Sequence, residues 1–197
     1  MPSAKARRTK RRDDVSLARE AILEAALMHV PFDGWSRTSL VRGVRDAGYD
    51  EVMVLRAFPG GVSELVAFHS NHADERMLAA LGSMDLASMK VRERIATAVE
   101  TRLRQNAKHK EAVRLALAYL AQPHHAGLAL RCLYRTVDAM WYACGDTATD
   151  FNFYTKRALL AGVYGATVLY WISDRSPDDE ATWGFLDRRI GDVMNIP

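Results

Sequence analysis

Four neighbouring residues carry side chains that bind metal ions or move protons: His69, His72, Asp74 and Glu75. Histidines three residues apart share one face of a helix, and facing helices of a bundle can build metal sites from such pairs. The sequence offers no second cluster of ligands to complete a site, and the pair His124-His125 is equally isolated. We therefore interpret these histidines as surface or interhelical residues and predict no metal site.

Motifs of catalysis are missing from the sequence. It contains no Walker loop, dinucleotide fingerprint, nucleophile elbow or paired zinc spacing. Cys132 and Cys144 are twelve residues apart on one predicted helix, about 18 Å along its axis, which is too far for a disulfide. The sequence predicts a protein with reduced cysteines that is not an enzyme and has no cofactor.

A corner rich in aromatic residues is the most distinctive feature. Two predicted helices meet between Asp138 and Gly162 at a short loop that begins with Gly145. The aromatic residues around it are Trp141, Tyr142, Phe151, Phe153 and Tyr154. Loops between helices are usually polar, so this corner is either unusually well packed or an exposed docking surface.

The composition predicts an all-helical protein whose first residues are basic. The 197 residues are 49% hydrophobic and show no alternating strand pattern, which predicts an all-α fold. Six cations precede Asp13, so the rest of the chain is net acidic although the whole carries +3. We expect residues 1–15 to be a disordered basic arm that is either solvated or contacts nucleic acid or an anionic membrane. The chain has no secretory signal pattern, and a cytoplasmic location follows.

Residues 16–60 are predicted to form three short helices. Ser16 is the expected cap of the first, Ser36 or Thr38 begins the second, and Asp50 caps the third. The second and third are separated by a glycine turn at Gly48, a helix-turn-helix arrangement. This region resembles the N-terminal part of TetR-type regulators.

The residues of the third predicted helix disfavour sequence-specific DNA binding. A recognition helix places basic or amide side chains near its start, but this one begins with Asp50 and Glu51 and continues with apolar residues. Sequence-specific DNA binding is therefore disfavoured. A TetR-type DNA-binding transcriptional regulator with an apolar ligand pocket is the alternative function.

Residues 61–197 are predicted to form a larger helical domain for ligand binding and dimerisation. One helix has an apolar stripe from Val91 to Leu103, and another has a face from Leu130 to Cys144. Residues 158–172 contain no charge and are apolar all round, which predicts a helix covered by neighbouring helices, a second subunit or an apolar ligand. Together with the last helix, it is a candidate four-helix seam of a homodimer.

The C-terminal half resembles a known family. The segments GDTATDFNFYTKRALLAGVYGAT and SPDDEATWGFLDRRIGDVM, with ILEAALMHVPFDGWS and VETRLR earlier, are similar to the accessory lipid-binding proteins of ubiquinone (coenzyme Q) biosynthesis, the Coq-nine family. The resemblance covers residues 20 to 194. It implies a dimeric TetR-like fold of about nine helices that has lost DNA recognition.

The resemblance also implies a function and a partner surface. Family members hold isoprenoid lipids and present a quinone intermediate to the di-iron demethoxyubiquinone hydroxylase without being catalysts themselves. At the aromatic corner, the positions that match the family's docking surface are Asp138, Met140, Asp146, Asp150, Phe153, Tyr154 and Arg157. Aromatic anchors flanked by charges are typical of interface hot spots.

A lipid cavity is expected in the second half, filled by an isoprenoid quinone or a phospholipid. The candidate lining residues are Leu117, Leu120, Leu133, Val137, Leu160, Val163, Tyr164, Thr167 and Trp171. Phe153 stands where the family often has Trp, which keeps the anchor without its indole donor. The sequence ends before the amphipathic helix that eukaryotic members use at membranes. We therefore expect transient contact with the inner face of a bacterial inner membrane through another surface, such as the basic arm.

Overall fold

Nine α-helices form the described part of the chain, and that part contains no strand. The structure is a computed structural model that describes residues 4–145 and 151–194, with side chains for residues 14–145 and 154–193. The helices are α1 (Ala4–Asp33), α2 (Arg37–Asp46), α3 (Val52–Ala57), α4 (Gly61–Leu81), α5 (Val91–Gln105), α6 (Lys110–Leu120), α7 (Ala126–Ala143), α8 (Phe151–Trp171) and α9 (Glu180–Met194). The all-α prediction is confirmed.

Helix α1 is longer than the sequence analysis predicted. It begins at Ala4, so Ser16 is not its cap and the described residues of the basic arm are helical rather than disordered. The physical reason is composition, because alanine, lysine and arginine are strong helix formers and no glycine or proline interrupts residues 4–15. Pro31 lies inside the last turn, and Gly34 at φ +66° ends the helix.

The first compact unit consists of Met1–His69 and Glu111–Pro123. Ser36 caps α2, because its hydroxyl accepts from the Ser39 amide while the Ser39 hydroxyl accepts from the Ser36 amide. At Gly43, an added Cβ would lie 2.7 Å from the Cβ of Ala26, so the close packing of α1 on α2 requires glycine. Ile22, Leu40 and Phe58 are fully buried in the core.

Helix α6 changes the predicted domain boundary. Ala112 and Ala116 of α6 belong to the core of the first unit, and the Trp35 indole donates to the Ala112 carbonyl over 3.0 Å. The division therefore does not follow the predicted ranges 16–60 and 61–197, because a later helix supplies part of the wall that the first three helices need. A three-helix unit of this size buries too little apolar surface alone.

The second compact unit consists of Ser70–Lys110 and His124–Pro197. Helix α8 packs against α7 and α9, and α5 packs against the same two helices. Leu103, Met140 and Trp171 are fully buried, and the Tyr170 and Phe185 rings stack with centroids 4.6 Å apart. Leu130 and Leu169 are 68% and 60% exposed in the single chain, so neighbouring helices do not cover every apolar position of α7 and α8. Apolar residues at helical spacing here mark two faces of a helix, only one of which is covered.

Candidate functional site

A cavity of about 410 Å³ lies in the second unit among α5, α7, α8 and α9. Seven aliphatic side chains form most of its wall. The lining residues are Val91, Arg92, Arg94, Ile95, Trp141, Cys144, Gly145, Lys156, Leu159, Leu160, Val163, Ile190 and Val193. A mostly aliphatic cavity of this volume is the kind of site that binds an apolar ligand.

Helical spacing explains how the wall forms. Leu159 and Leu160 lie four and three residues before Val163, so the three side chains share one face of α8. Ile190 and Val193 on α9 repeat that spacing, and α9 packs directly on α8. The cavity thus lies where aliphatic side chains of α5, α8 and α9 converge.

Cationic side chains belong to the same cavity. The Arg94 guanidinium donates to the backbone carbonyls of Met89, Ala87 and Cys144 over 2.9 to 3.1 Å. The Arg92 guanidinium donates to Asp187 over 2.7 Å. These bonds hold both arginines at defined positions beside the aliphatic wall.

Lys156 and Trp141 are held together at the start of α8. The Trp141 indole donates to the Lys156 carbonyl over 3.2 Å, and the Lys156 ammonium nitrogen lies 5.6 Å from the centre of the indole ring. The ring faces a cation at a distance at which the two attract. The hydrogen bond and the cation–π contact hold the Trp141 indole in place at the cavity wall.

The structure brings only part of the predicted lipid set to this cavity. Leu160 and Val163 line it, whereas Leu133, Val137, Tyr164, Thr167 and Trp171 lie elsewhere in the second unit. Leu117 and Leu120 belong to the first unit, where Leu120 packs against its core. Trp171 is fully buried and its indole donates to Asp179 over 2.8 Å.

Tyr164 takes part in a buried polar cluster. Its hydroxyl accepts from Arg102 over 2.6 Å, Arg102 also donates to Asp74 over 2.7 Å, and the Thr136 hydroxyl donates to Asp74 over 2.9 Å. Burial raises the pKa of Tyr164. Burial alone lowers the pKa of Arg102, but Tyr164 and Asp74 raise it overall, so the cation persists. Asp74, first considered for metal binding, is a partner of arginine.

The predicted docking corner is partly exposed. Tyr154 is 68% exposed, and the Arg157 Nε donates to the half-exposed Asp138 carboxylate over 2.8 Å. Met140 is completely buried, so it supports the corner from the core and presents no surface to a partner. Asp146 and Asp150 lie outside the described residues, as does the Phe153 side chain.

The exposed face of α3 carries the apolar residues Val52 and Leu55 beside the single cation Arg56. Val52 and Leu55 are exposed, and Arg45 of α2 pairs with Glu51. Asp50 accepts from the Val52 amide over 3.2 Å. Such a face offers base edges few hydrogen-bond donors.

Three further observations concern metal binding, membrane spanning and the cysteines. No group of three or more metal-binding side chains occurs among the residues that the structure describes. No described helix is both long and apolar enough to cross a membrane. Cys132 and Cys144 form no disulfide, and burial raises the pKa of the Cys132 thiol.

The fold is that of a TetR-type protein. A crystal structure of a TetR transcriptional regulator from Nitrosomonas europaea matches with a TM-score of 0.73, covering 90% of this chain and 98% of that one. The two sequences are 20% identical, so the likeness concerns the fold alone. The predicted TetR-like architecture is confirmed.

The sequence comparisons point to a narrower group of related proteins than the fold does. Residues 126–197 match the family model COQ9. The chain is 39% identical over 184 residues to the "Ubiquinone biosynthesis protein COQ9, mitochondrial" of Rattus norvegicus and 36% identical to that of Homo sapiens, covering 89% of this chain in each case. It spans 58% and 57% of their lengths. The predicted resemblance to the Coq-nine family is confirmed by these sequence matches, and the fold is TetR-like.

Sequence reasoning missed the contributions of α5 and α9 to the cavity. The sequence predicts an apolar stripe that includes Val91 and Ile95, but no sequence signal joins this stripe to Leu160 or to Ile190 and Val193 of the last helix. Arg92 and Arg94 gave no signal, because arginines flanking an apolar stripe are typical of any amphipathic helix. Only the packing of α5 on α9 brings them together.

Proposed function

We propose that this protein is a non-catalytic accessory protein of ubiquinone biosynthesis that binds an isoprenoid lipid. The observation that carries the proposal is the aliphatic cavity of about 410 Å³ in the second unit. Most of its lining belongs to residues 126–197, which match the COQ9 family model. The relatives named above are ubiquinone biosynthesis proteins, which supports the same pathway for this chain.

The ligand is an isoprenoid quinone or a phospholipid whose apolar chain lies along α8 and α9. Leu160, Val163 and Ile190 are buried residues that line the cavity. Burial of a hydrocarbon chain against such side chains is favourable by about 25 cal/mol per Å². The aliphatic wall therefore supplies affinity without recognising one particular chain.

The aromatic corner presents the bound intermediate to the di-iron demethoxyubiquinone hydroxylase. Tyr154 offers an exposed aromatic anchor, and the Asp138–Arg157 pair holds the start of α8 against α7. Lys156, two residues from Tyr154, lines the cavity. The docking surface and the cavity thus share the first turns of α8, so a partner bound there sits close to the lipid.

A homodimer through α8 and α9 completes the proposal. Leu169 and Tyr170 expose apolar surface on α8, and an added Cβ at Gly162 or Gly165 would meet no atom within 4 Å. A smooth apolar helix face of this kind suits close packing against a second copy. The dimer resides in the cytoplasm and makes transient contact with the inner face of a bacterial inner membrane, assisted by the basic residues of α1.

Native mass spectrometry of gently purified protein, followed by lipid extraction, tests this function. We expect a dimer that retains isoprenoid quinone or phospholipid. An apo protein that binds neither added quinone nor phospholipid would contradict the lipid function. Retarded migration of a preferred DNA sequence at physiological salt would instead support a transcriptional regulator.

A further inference from the structure

The cavity is short along α8 and closed toward the end of that helix. Its lining on α8 runs from Lys156 to Val163, about 10 Å of helix at 1.5 Å per residue. Thr167 and Trp171 follow Val163 by one and two turns on the same face, and both are completely buried. The Thr167 hydroxyl donates to the Val163 carbonyl over 2.7 Å, and the Trp171 indole donates to Asp179. These two side chains belong to the packed core, so a bound chain cannot extend past Val163 along α8.

The volume of the cavity limits how much hydrocarbon it can hold. A water molecule occupies about 30 Å³ of liquid, and a methylene group is about as large. Dividing the volume of about 410 Å³ by this figure gives room for roughly fourteen carbon atoms. An isoprene unit has five carbons, so about three units fill the cavity. A longer isoprenoid tail therefore exceeds it.

A quinone ring does not fit beside such a chain. With its methyl, methoxy and carbonyl groups, a ubiquinone ring has nearly as many heavy atoms as three isoprene units, so it would fill the cavity alone. Its oxygens would then lie against aliphatic walls, and a buried polar group without a hydrogen bond is unfavourable. Three of the lining donors already have acceptors inside the protein: Arg92 in Asp187, Arg94 in backbone carbonyls and Trp141 in the Lys156 carbonyl. Hydrocarbon needs no donor, so the tail is the part of the lipid that suits the cavity.

We propose that the cavity accepts about three isoprene units of the lipid tail and leaves the quinone ring and the remaining tail outside. This rests on the proposed function, takes the cavity as the lipid site and adds the length of chain that the site can distinguish. Each isoprene unit up to the third strengthens binding, because it buries further hydrocarbon against the wall. Units beyond the third gain nothing from the cavity. The ring, held outside, stays accessible to the hydroxylase.

Prenyl alcohols of increasing length test this limit. Geraniol, farnesol and geranylgeraniol have two, three and four isoprene units and the same hydroxyl head. Each alcohol is titrated against bound dansyl-aminoundecanoic acid, below the solubility limit of the alcohol, and displacement is followed by dansyl fluorescence. We expect farnesol to bind roughly tenfold or more tightly than geraniol, because one further unit is buried, and geranylgeraniol to match farnesol within about twofold.

A larger cavity should move the limit. Leu159→Ala removes three carbons from a half-buried lining residue, which makes space for part of a fourth unit. Geranylgeraniol should then bind several-fold more tightly than farnesol. Leu130→Ala is the matched control, because Leu130 is exposed on α7 and does not line the cavity, so the two alcohols should bind it equally.

The ring without a tail is tested separately. Dimethoxymethylbenzoquinone should leave the dansyl probe bound at concentrations at which farnesol displaces it. Equal displacement by the two compounds would place the ring inside the cavity and overturn the inference.

Two results in the length series would also overturn the limit: a gain from farnesol to geranylgeraniol as large as that from geraniol to farnesol, or no gain from geraniol to farnesol. A ratio of affinities that is the same in Leu159→Ala and Leu130→Ala would show that this cavity does not set the limit. The two proposals fail separately, because a gain that continues with every unit retains the lipid function and discards the limit. If no prenyl alcohol binds, the lipid function itself is contradicted, and the inference falls with it.

Discussion

Arg102 and Asp74 form an ion pair inside the second unit, with Nε and Oδ1 2.7 Å apart and both side chains less than one-tenth exposed. Ser70, Thr136 and Tyr164 complete the hydrogen bonding around the guanidinium. Four helices, α4, α5, α7 and α8, contribute one or more members. The cluster therefore links three helices that line the cavity, α5, α7 and α8, to α4.

Asp74→Asn should destabilise the protein by about 3–5 kcal/mol, because it leaves the Arg102 charge buried without its carboxylate. Urea denaturation followed by circular dichroism measures the change in the free energy of unfolding. Asp192→Asn is the control, since it removes an exposed partner of Arg189 and should cost less than about 1 kcal/mol. Similar losses in the two variants would show that the buried pair has no special role.

The carboxylate of Asp174 predicts a pH-dependent stability. Hydrogen bonds from Thr182 and Ser176 hold the pKa of Asp174 well below its ordinary value of 3.8. A lowered folded-state pKa contributes stability that is complete above the unfolded value and is lost as pH falls below it. Asp174→Asn should therefore lower the melting temperature at pH 7, with a smaller difference from wild type at pH 3. A difference that stays constant between these pH values would contradict this account.

Tyr154→Ala should weaken binding to the hydroxylase by about 2 kcal/mol or more without changing unfolding, as loss of an exposed aromatic anchor does. Phe32→Ala is the matched control, because Phe32 is an exposed aromatic residue of the first unit. Biolayer interferometry with immobilised hydroxylase gives both affinities. Equal affinity of the two variants for the hydroxylase would contradict the proposal that the aromatic corner is the docking surface.

Leu169→Glu should convert the proposed dimer to a monomer, because it places a charge on the apolar face of α8. Light scattering coupled to size-exclusion chromatography measures the mass. Leu130→Glu changes an equally exposed leucine on α7 and should leave the mass unchanged. A dimer that persists in Leu169→Glu would argue against the α8–α9 seam.

Local sequence signals predicted where the helices lie better than they predicted which helix faces are covered. Ser36 caps α2 as expected. On α5, Ile95, Val99 and Leu103 of the predicted apolar stripe are buried. Leu130 has the same helical spacing and is exposed, because periodicity identifies a face without identifying what covers it.

The site was harder to predict because distant segments build it. Asp74 and Arg102 are separated by 28 residues, and no spacing rule links a carboxylate beside two histidines to an arginine on another helix. The cavity likewise joins Val91 to Val193. The resemblance implies lipid binding, and the apolar surface of the last helices predicts Leu160 and Val163 as lining residues, but the remaining walls follow only from tertiary packing.

Lipid occupancy of a variant with a filled cavity tests the central claim most directly. Leu159→Trp enlarges a lining side chain, and Leu130→Trp makes the same change at an exposed position outside the cavity. Native mass spectrometry of both variants, purified in parallel with wild type, gives the fraction of protein that carries isoprenoid lipid. We predict that Leu159→Trp loses most of its bound lipid while Leu130→Trp retains the wild-type fraction. Equal occupancy in all three proteins, each folded to the same extent, would contradict the assignment of this cavity as the lipid site.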